Sequence, residues 1–494
     1  MSGDYDLSVI GGGPAGMAAA TLAAGYGLKT VLFDEQPAPG GQIYRNIESV
    51  TGKRPDDLAI FSDDYRHGHD LAKAFRASSA EYAPESSIWE IRASGTLGVL
   101  RAGKARQLRA KRILIAGGSM ERPVPIPGWT LPGVMTAGAA QTILKSSGQV
   151  PDVPVVLAGS GPLLYLVATE LVSAGASLKA ILRTTPRNNL WRAARHLPDA
   201  LVAGNYLWKG LQWMRLLKAA GVPMLGGVTD LRAVGDGTLD GVEFATGERV
   251  QRLDAGLLLL HEGIVPNNQL AMSAGCEMTW DEEQFCWRTV TDDWGATSAE
   301  NIAVAGDCAA IVGALLAEHY GRLAALDAAY RQGAIDGAAR GRLAGPERAE
   351  ITRHKKVRRF LDILYRPARK VLVPPLDDTV ICRCEEITAG ELRQVVALGC
   401  PGPNQAKAFT RAGMGRCQGR MCGLTVAAVI ADARKVPVAD VGHYRIRPPI
   451  KPITVGELAS MEGVGRDVPA LDGSPNNAER RGPRDRGAKK DLND

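Results

Sequence analysis

The chain of 494 residues lacks any apolar run near the roughly 18 residues that a membrane span requires; the nearest candidate, residues 255–260, has the length of one short strand. It also lacks a basic segment and a small-residue cleavage site ahead of the first apolar stretch at residues 6–10, so no secretory leader and no transmembrane segment are expected. Cysteine is sparse, eight in all, with none between residues 120 and 270 and with Cys276, Cys286, Cys308 and Cys400 scattered without pairing logic. This argues against a disulfide framework and for a reducing compartment; a cytoplasmic location is expected, with peripheral membrane attachment left open. Aromatic residues amount to 5%, and the net charge of +6 is a local excess in residues 353–359 and 480–486. Neither stretch interleaves aromatics with its basic residues, so no nucleic-acid partner is expected. The first reads as a solvated helix face and the second as part of a disordered tail. Length suggests about three domains, and 45% hydrophobic residues suffice for their cores.

What the chain does have is four cysteines gathered near its C-terminus. Cys382 and Cys384 form a C-x-C pair, and Cys417 and Cys422 a C-x4-C pair. Four thiolates converging in this way suit a [2Fe–2S] centre, whose irons take soft sulfur ligands. A structural zinc site is the alternative, but zinc pairs are usually C-x2-C or wider, which favours the cluster. A disulfide is weaker still, since nothing else points to export.

The N-terminus supplies a second redox component. A short strand at residues 6–10 meets Gly11, Gly13, Pro14, Ala15 and Gly16, and an alanine-rich helix follows to about Tyr26. Gly11 permits the tight turn, Gly13 lets the backbone approach a pyrophosphate, and Gly16 allows close helix–strand packing, with the helix N-terminus supplying positive potential. A second strand ends in Asp34, twenty-three residues after Gly11 (34 − 11), where a carboxylate accepts hydrogen bonds from an adenosine ribose. Two further segments, Glu35-Gln36 through Gly40-Gly41-Gln42 and the later Gly306-Asp307, resemble the flavoprotein pyridine-nucleotide–disulfide reductase class and select FAD over NAD. The resemblance implies that the double glycine lets the chain pass the flavin phosphates and that the Gly-Asp pair holds the ribityl chain. Residues 113–118 resemble the closing strand of that domain, with Ala116 and then Gly117 where threonine is usual. Ser87, Ile88, Gly313 and Ala314 complete the expected FAD contacts. A helix expected over residues 312–342 points its N-terminus at the flavin, stabilising an anionic reduced ring.

A second glycine loop, Gly159, Gly161 and Pro162, follows a strand expected at residues 153–158 and precedes a helix to about Ser173. It looks like an inserted NAD(P)H domain, yet Leu164 takes the packing glycine's place, and Leu182 stands where the ribose acid belongs, followed by Arg183. Without that acid there is no specific 2′-hydroxyl partner. The fold is expected to be empty or to hold a different adenine nucleotide, with Arg183 near its ribose or phosphate. Neither Gly41 to Arg45 nor residues 120–270 contain a cysteine, which excludes dithiol exchange at the positions disulfide reductases use.

The cysteine segment, residues 380–423, resembles the [2Fe–2S] module of bacterioferritin-associated ferredoxin, with C-x4-C replacing C-x2-C. Arg383, Arg416 and Arg420 are expected to oppose the cluster's negative charge. Together with residues 35–45 and 443–452, the order of these motifs resembles the α subunits of heteromeric, dye-linked opine and amino-acid dehydrogenases over residues 4 to about 460. This implies a two-dinucleotide-binding-domain α/β flavoprotein with an inserted second Rossmann-type domain and a small ferredoxin-like module. It further implies a β subunit resembling D-amino-acid and sarcosine oxidases, optionally a small γ subunit, and oxidation of a secondary amine in that β subunit. Two other functions stay open: a stand-alone NAD(P)H-dependent ferredoxin or quinone reductase, and a mainly structural subunit. The expected division is an FAD domain in two parts (1–148 and 276–345), the inserted domain (149–275), a helical linker (346–375) starting at Gly345-Pro346, the cysteine module (376–440), a packing segment (441–462) and a disordered tail (463–494).

Overall fold

The computed structural model describes residues 4–461 apart from 93, 202 and 203, so the expected tail lies outside the described residues. The first domain is built on β1 (Tyr5–Ile10), α1 (Pro14–Gly25) and β2 (Thr30–Phe33), followed by β3 (Glu81–Ala83), β4 (Ser86–Ile91), β5 (Thr96–Arg101) and β6 (Lys104–Ile115). Its sheet runs β3-β2-β1-β6-β5-β4, and the later strand Ile302–Val304 joins β6. β1 lies parallel to β2 and β6, with Val9 opposite Leu32 and Leu114. Both faces of this parallel part are covered, which is why its strands read as continuous apolar runs. α1 is alanine-rich because it is squeezed from two sides: a Cβ on Gly16 would overlap the Gly11 carbonyl, and one on Gly321 would overlap the Ala15 carbonyl.

The chain leaves this domain through β7 (Ser119–Glu121) and returns through Ile264–Pro266, and the two crossings pair antiparallel. Between them lie β8 (Val134–Thr136), α2 (Ala137–Ser147), β9 (Val155–Ser160), α3 (Pro162–Ser173), β10 (Leu178–Arg183), β11 (Met224–Gly226) and an antiparallel three-stranded sheet. The last strand, β12 (Leu257–Glu262), completes a parallel sheet of order β11-β10-β9-β12-β8. The apolar run at 255–260 is thus a strand, shifted by two residues so that it ends on buried His261 and Glu262.

The expected helix at 312–342 is divided, into α4 (Ala314–Arg331) and the start of α5 (Gly337–Leu364). Gly345-Pro346, expected to start the linker, lies inside one helix; α5 continues through Pro346. Proline removes one N–H and crowds the preceding turn, but α5 is anchored on both sides of it. Ala344 and Ile351 pack with Leu316, Leu323 and Leu326 of α4. Val357, Phe360 and Ile363 pack against Ala193 and Ala200 of the inserted domain. Buried Asp327 pins the same corner by pairing with Arg112, Arg331 and Arg340.

The cysteine module holds a short strand pair (Val380–Cys382 and Ile387–Thr388), helices Ala389–Ala397 and Pro403–Thr410, and α6 (Gly423–Arg434). Residues 442–461 run back over the first domain, where the Ile450 N–H donates to the Trp89 carbonyl and Lys451 pairs with Glu35. Among the described residues no helix is long and apolar enough to cross a membrane.

Candidate functional site

The first glycine loop forms a cradle for a dinucleotide. Gly11 has φ +108°, and a Cβ there would strike the Ala116 carbonyl just past the end of β6. Gly41, at φ +63°, rests on Gly13, where a Cβ would lie 2.8 Å from the Gly13 Cα. Gly117 and Gly313, in contrast, face open space or only Asn267. Asp34 is 7% exposed; one carboxylate oxygen accepts from the Gln36 N–H at 3.1 Å. The other, Oδ2, is buried against Gly12 without a protein partner. Burial raises the Asp34 pKa to about 6, opposed by the Gln36 N–H and by Arg45. An orphaned buried acceptor at the end of β2 fits a ribose hydroxyl pair. Glu35 accepts from Ser87 at 3.0 Å, and Ile88 is buried in the core.

The loop after Gly41 is gripped by α2 from the inserted domain. Lys145, 2% exposed, donates to the Ile43 carbonyl at 2.9 Å, Thr142 reaches Gln42 at 3.4 Å, and Asn46 donates to the Ser146 carbonyl. Burial lowers the Lys145 pKa to about 8, while nearby Glu170 opposes that shift. Asp307 accepts from the Val312 and Gly313 N–H groups, each at 2.8 Å, and from Ser119 at 3.4 Å. It therefore organises the N-terminus of α4. The motifs of the sequence do not single out Gly12 or Lys145; the Gly-Gly-Gly run is a visible signal for Gly12, but no local pattern marks Lys145.

In the second fold, Ser160, Gly161 and Pro162 open onto a cavity of about 210 Å³ that His261, Glu262, Asp362 and Tyr365 also line. A Cβ on Gly161 would lie 3.3 Å from Nε2 of His261, whose Nδ1 is 2.7 Å from Glu121. Glu262 accepts from Thr184, its other oxygen has no partner, and burial raises its pKa to about 7. Leu164 is fully buried in the core, and Arg183 lies against Gly226.

The four module cysteines draw together, with Cys422 close enough to feel both Cys382 and Cys417. Cys382 and Cys422 interact through their thiols, and so do Cys384 and Cys417. The Cys382 pKa falls to about 6, chiefly because Cys422 donates to it, and Cys422 is correspondingly raised. A Cβ on Gly415 would collide with Cys384, so the two cysteine segments touch. Among the described residues, no three His, Cys, Asp or Glu side chains close round a single metal position. Arg383 stacks on Trp129 and Arg420 donates to the Ile450 carbonyl.

Residues 5–333 match the pyridine nucleotide-disulphide oxidoreductase family, and residues 378–462 match the sarcosine oxidase A3 domain. The A-subunit of an opine oxidase from Agrobacterium tumefaciens is 42% identical over 96% of this chain and 95% of its own length. The chain belongs to the opine oxidase A-subunit family. A second relative, hydrogen cyanide synthase subunit HcnB from Pseudomonas aeruginosa, is 34% identical over 92% of this chain and 98% of its own. The L-proline dehydrogenase structure from P. horikoshii shares the fold, with a TM-score of 0.69 at 20% identity, covering 92% of this chain and 79% of that one. Membership of the opine oxidase A-subunit family makes the chain a flavin-dependent oxidoreductase with FAD as its cofactor.

Proposed function

We propose that this chain is the electron-transferring component of a heteromeric dehydrogenase that oxidises a secondary amine, an opine or amino acid, in a partner β subunit resembling D-amino-acid and sarcosine oxidases. In this reading FAD lies in the first fold on Gly11, Gly13, Gly16, Asp34, Gly41 and Asp307, and Cys382, Cys384, Cys417 and Cys422 hold a [2Fe–2S] cluster. What supports it is the convergence of the C-x-C and C-x4-C segments, where a Cβ on Gly415, two residues before Cys417, would collide with Cys384. Four thiols brought together from a C-x-C and a C-x4-C segment suit the soft-ligand demand of two irons, where zinc pairs are usually C-x2-C or wider. FAD supplies two-electron acceptance and the cluster one-electron transfer; the chain's own residues bind, orient and screen them. A small γ subunit fits the same reading, as does a soluble complex in the cytoplasm.

The second fold serves this function without donating hydride. Its cavity, with the Gly161 backbone and His261 facing it, suits an adenine nucleotide that acts as a structural ligand. Replacing Cys384 by serine in the full chain should remove iron, labile sulfide and transfer to dye, while FAD remains. Zinc without iron or sulfide in the unaltered protein overturns the cluster. Rapid anaerobic bleaching of the FAD by NADH or NADPH in the isolated chain overturns the electron-transferring role and favours the stand-alone reductase.

A further inference from the structure

The basic residues of 353–359 lie along α5, whose apolar face packs on the inserted domain. Three short helices meet it there, Arg187–Ala194, Leu197–Leu201 and Gly204–Ala219. Ala193 and Ala200 close with Val357, Phe360 and Ile363 into one small cluster, and Leu207 packs against it. The outward faces of these helices are apolar where a solvated surface is polar. Trp191 is 82% exposed and Trp208 52% exposed, and Leu190, Leu197 and Leu211 are exposed as well. Exposed apolar side chains standing singly are ordinary, but two tryptophans and three leucines within twenty-two residues (211 − 190 + 1) mark a contact surface. Trp208, Leu211 and Arg215 recur at helical spacing along one face, and the Arg215 guanidinium lies 5.4 Å from the Trp208 ring centroid.

The charge around this surface has one sign. Residues 187–219 hold six arginines and lysines against a single acid, Asp199. Arg187, Arg192, Arg195 and Arg215, with Lys356 and Arg359 of α5, are all exposed. Among the described residues none of these six pairs with a carboxylate, whereas Lys209 is taken by Asp64 and Arg358 by Asp362. Tryptophan and leucine bordered by arginine and lysine suit the boundary of a bilayer, where the rings sit at headgroup level and the cations meet lipid phosphates. The free cations are spread over three helices. A rigid partner would need an acid placed against each, while mobile headgroups rearrange beneath them. We propose that this face docks on an anionic phospholipid surface, with Trp191 and Trp208 seated among the headgroups. The inference goes beyond the electron-transfer reading and is independent of the cysteines. Such attachment needs no spanning helix, and among the described residues no helix is long and apolar enough to be one.

The test is flotation of the full-length, FAD-loaded protein with vesicles of phosphatidylcholine alone and of phosphatidylcholine carrying about one-third phosphatidylglycerol. Binding should appear with the anionic vesicles only, weaken as salt is raised, and move tryptophan emission to the blue. Trp191→Ser with Trp208→Ser, and separately Lys356→Glu with Arg359→Glu, should each lower the partition constant about tenfold. FAD content and far-ultraviolet circular dichroism should stay as in the unaltered protein. If a variant misfolds, the lipid and salt dependence of the unaltered protein keeps the test decisive. No binding to anionic vesicles, equal binding to neutral ones, or an unchanged partition constant in the folded variants overturns the proposal. Vesicle binding that is lost when a co-purified partner subunit is present assigns the face to the subunit interface and overturns it as well. None of these outcomes alters the reading of the FAD fold or of the cysteines.

Discussion

At Asp34 the burial of a single carboxyl ties stability to pH. Its carboxyl is buried with one oxygen unpartnered, so its pKa rises from 3.8 to about 6. The folded apoprotein therefore holds an extra proton between about pH 4 and 6, and stability falls as pH climbs through that window. The rise corresponds to about 3 kcal/mol. Thermal melts of apoprotein from pH 4.5 to 7 should show the wild type losing stability relative to D34N as pH increases. FAD should narrow that difference, because ribose hydroxyls supply the missing donors; a difference independent of pH refutes the assignment. Gly12 belongs to the same argument. A methyl there collides with the Asp34 carboxylate, so Gly12→Ala should yield colourless protein, checked by flavin absorbance after purification.

Among the elements, α2 has an unusual task. It belongs to the inserted domain, yet Lys145, Thr142 and the Ser146 carbonyl all bond to residues 42–46 of the first domain. Lys145→Met leaves the Ile43 carbonyl without its donor, a cost of about 1–3 kcal/mol. We expect faster FAD loss in an equilibrium dialysis assay, with far-ultraviolet circular dichroism unchanged. Retention equal to wild type shows that the loop is ordered without the clamp. α5 is the element least visible in sequence: Gly345-Pro346 has the composition of a boundary, but contacts on both flanks keep the helix continuous.

Over the whole molecule, residues 442–461 tie the cysteine module to the flavin domain. The ties include Ile450 to Trp89, Lys451 to Glu35, and Ser460 accepting from the Ala105 N–H at 3.0 Å. The ion pair is partly exposed and contributes at most about 1 kcal/mol; the buried Tyr444, Ile446 and Ile450 matter more. Ending the chain after residue 441 should open the module to limited proteolysis and speed iron loss, while the flavin domain keeps its FAD. Proteolysis kinetics equal to those of the full chain refute this coupling.

Short-range patterns made much of the protein legible. Gly11, Gly13, Gly16 and Asp34 announced the first fold because a tight turn, close backbone approach and a terminal carboxylate are all set within one strand–helix–strand unit. The missing acid at Leu182 and the missing cysteines between 120 and 270 were equally local facts. Packing decided the rest. That Asp34 keeps an oxygen unpartnered, that Lys145 crosses to Ile43, that the two cysteine segments meet at Cys384 and Gly415, and that Tyr444 fills the space left by three glycines all depend on segments far apart in the chain. No periodicity or spacing encodes such contacts, because they arise only when separately folded surfaces are pressed together and each buried polar group must find a partner.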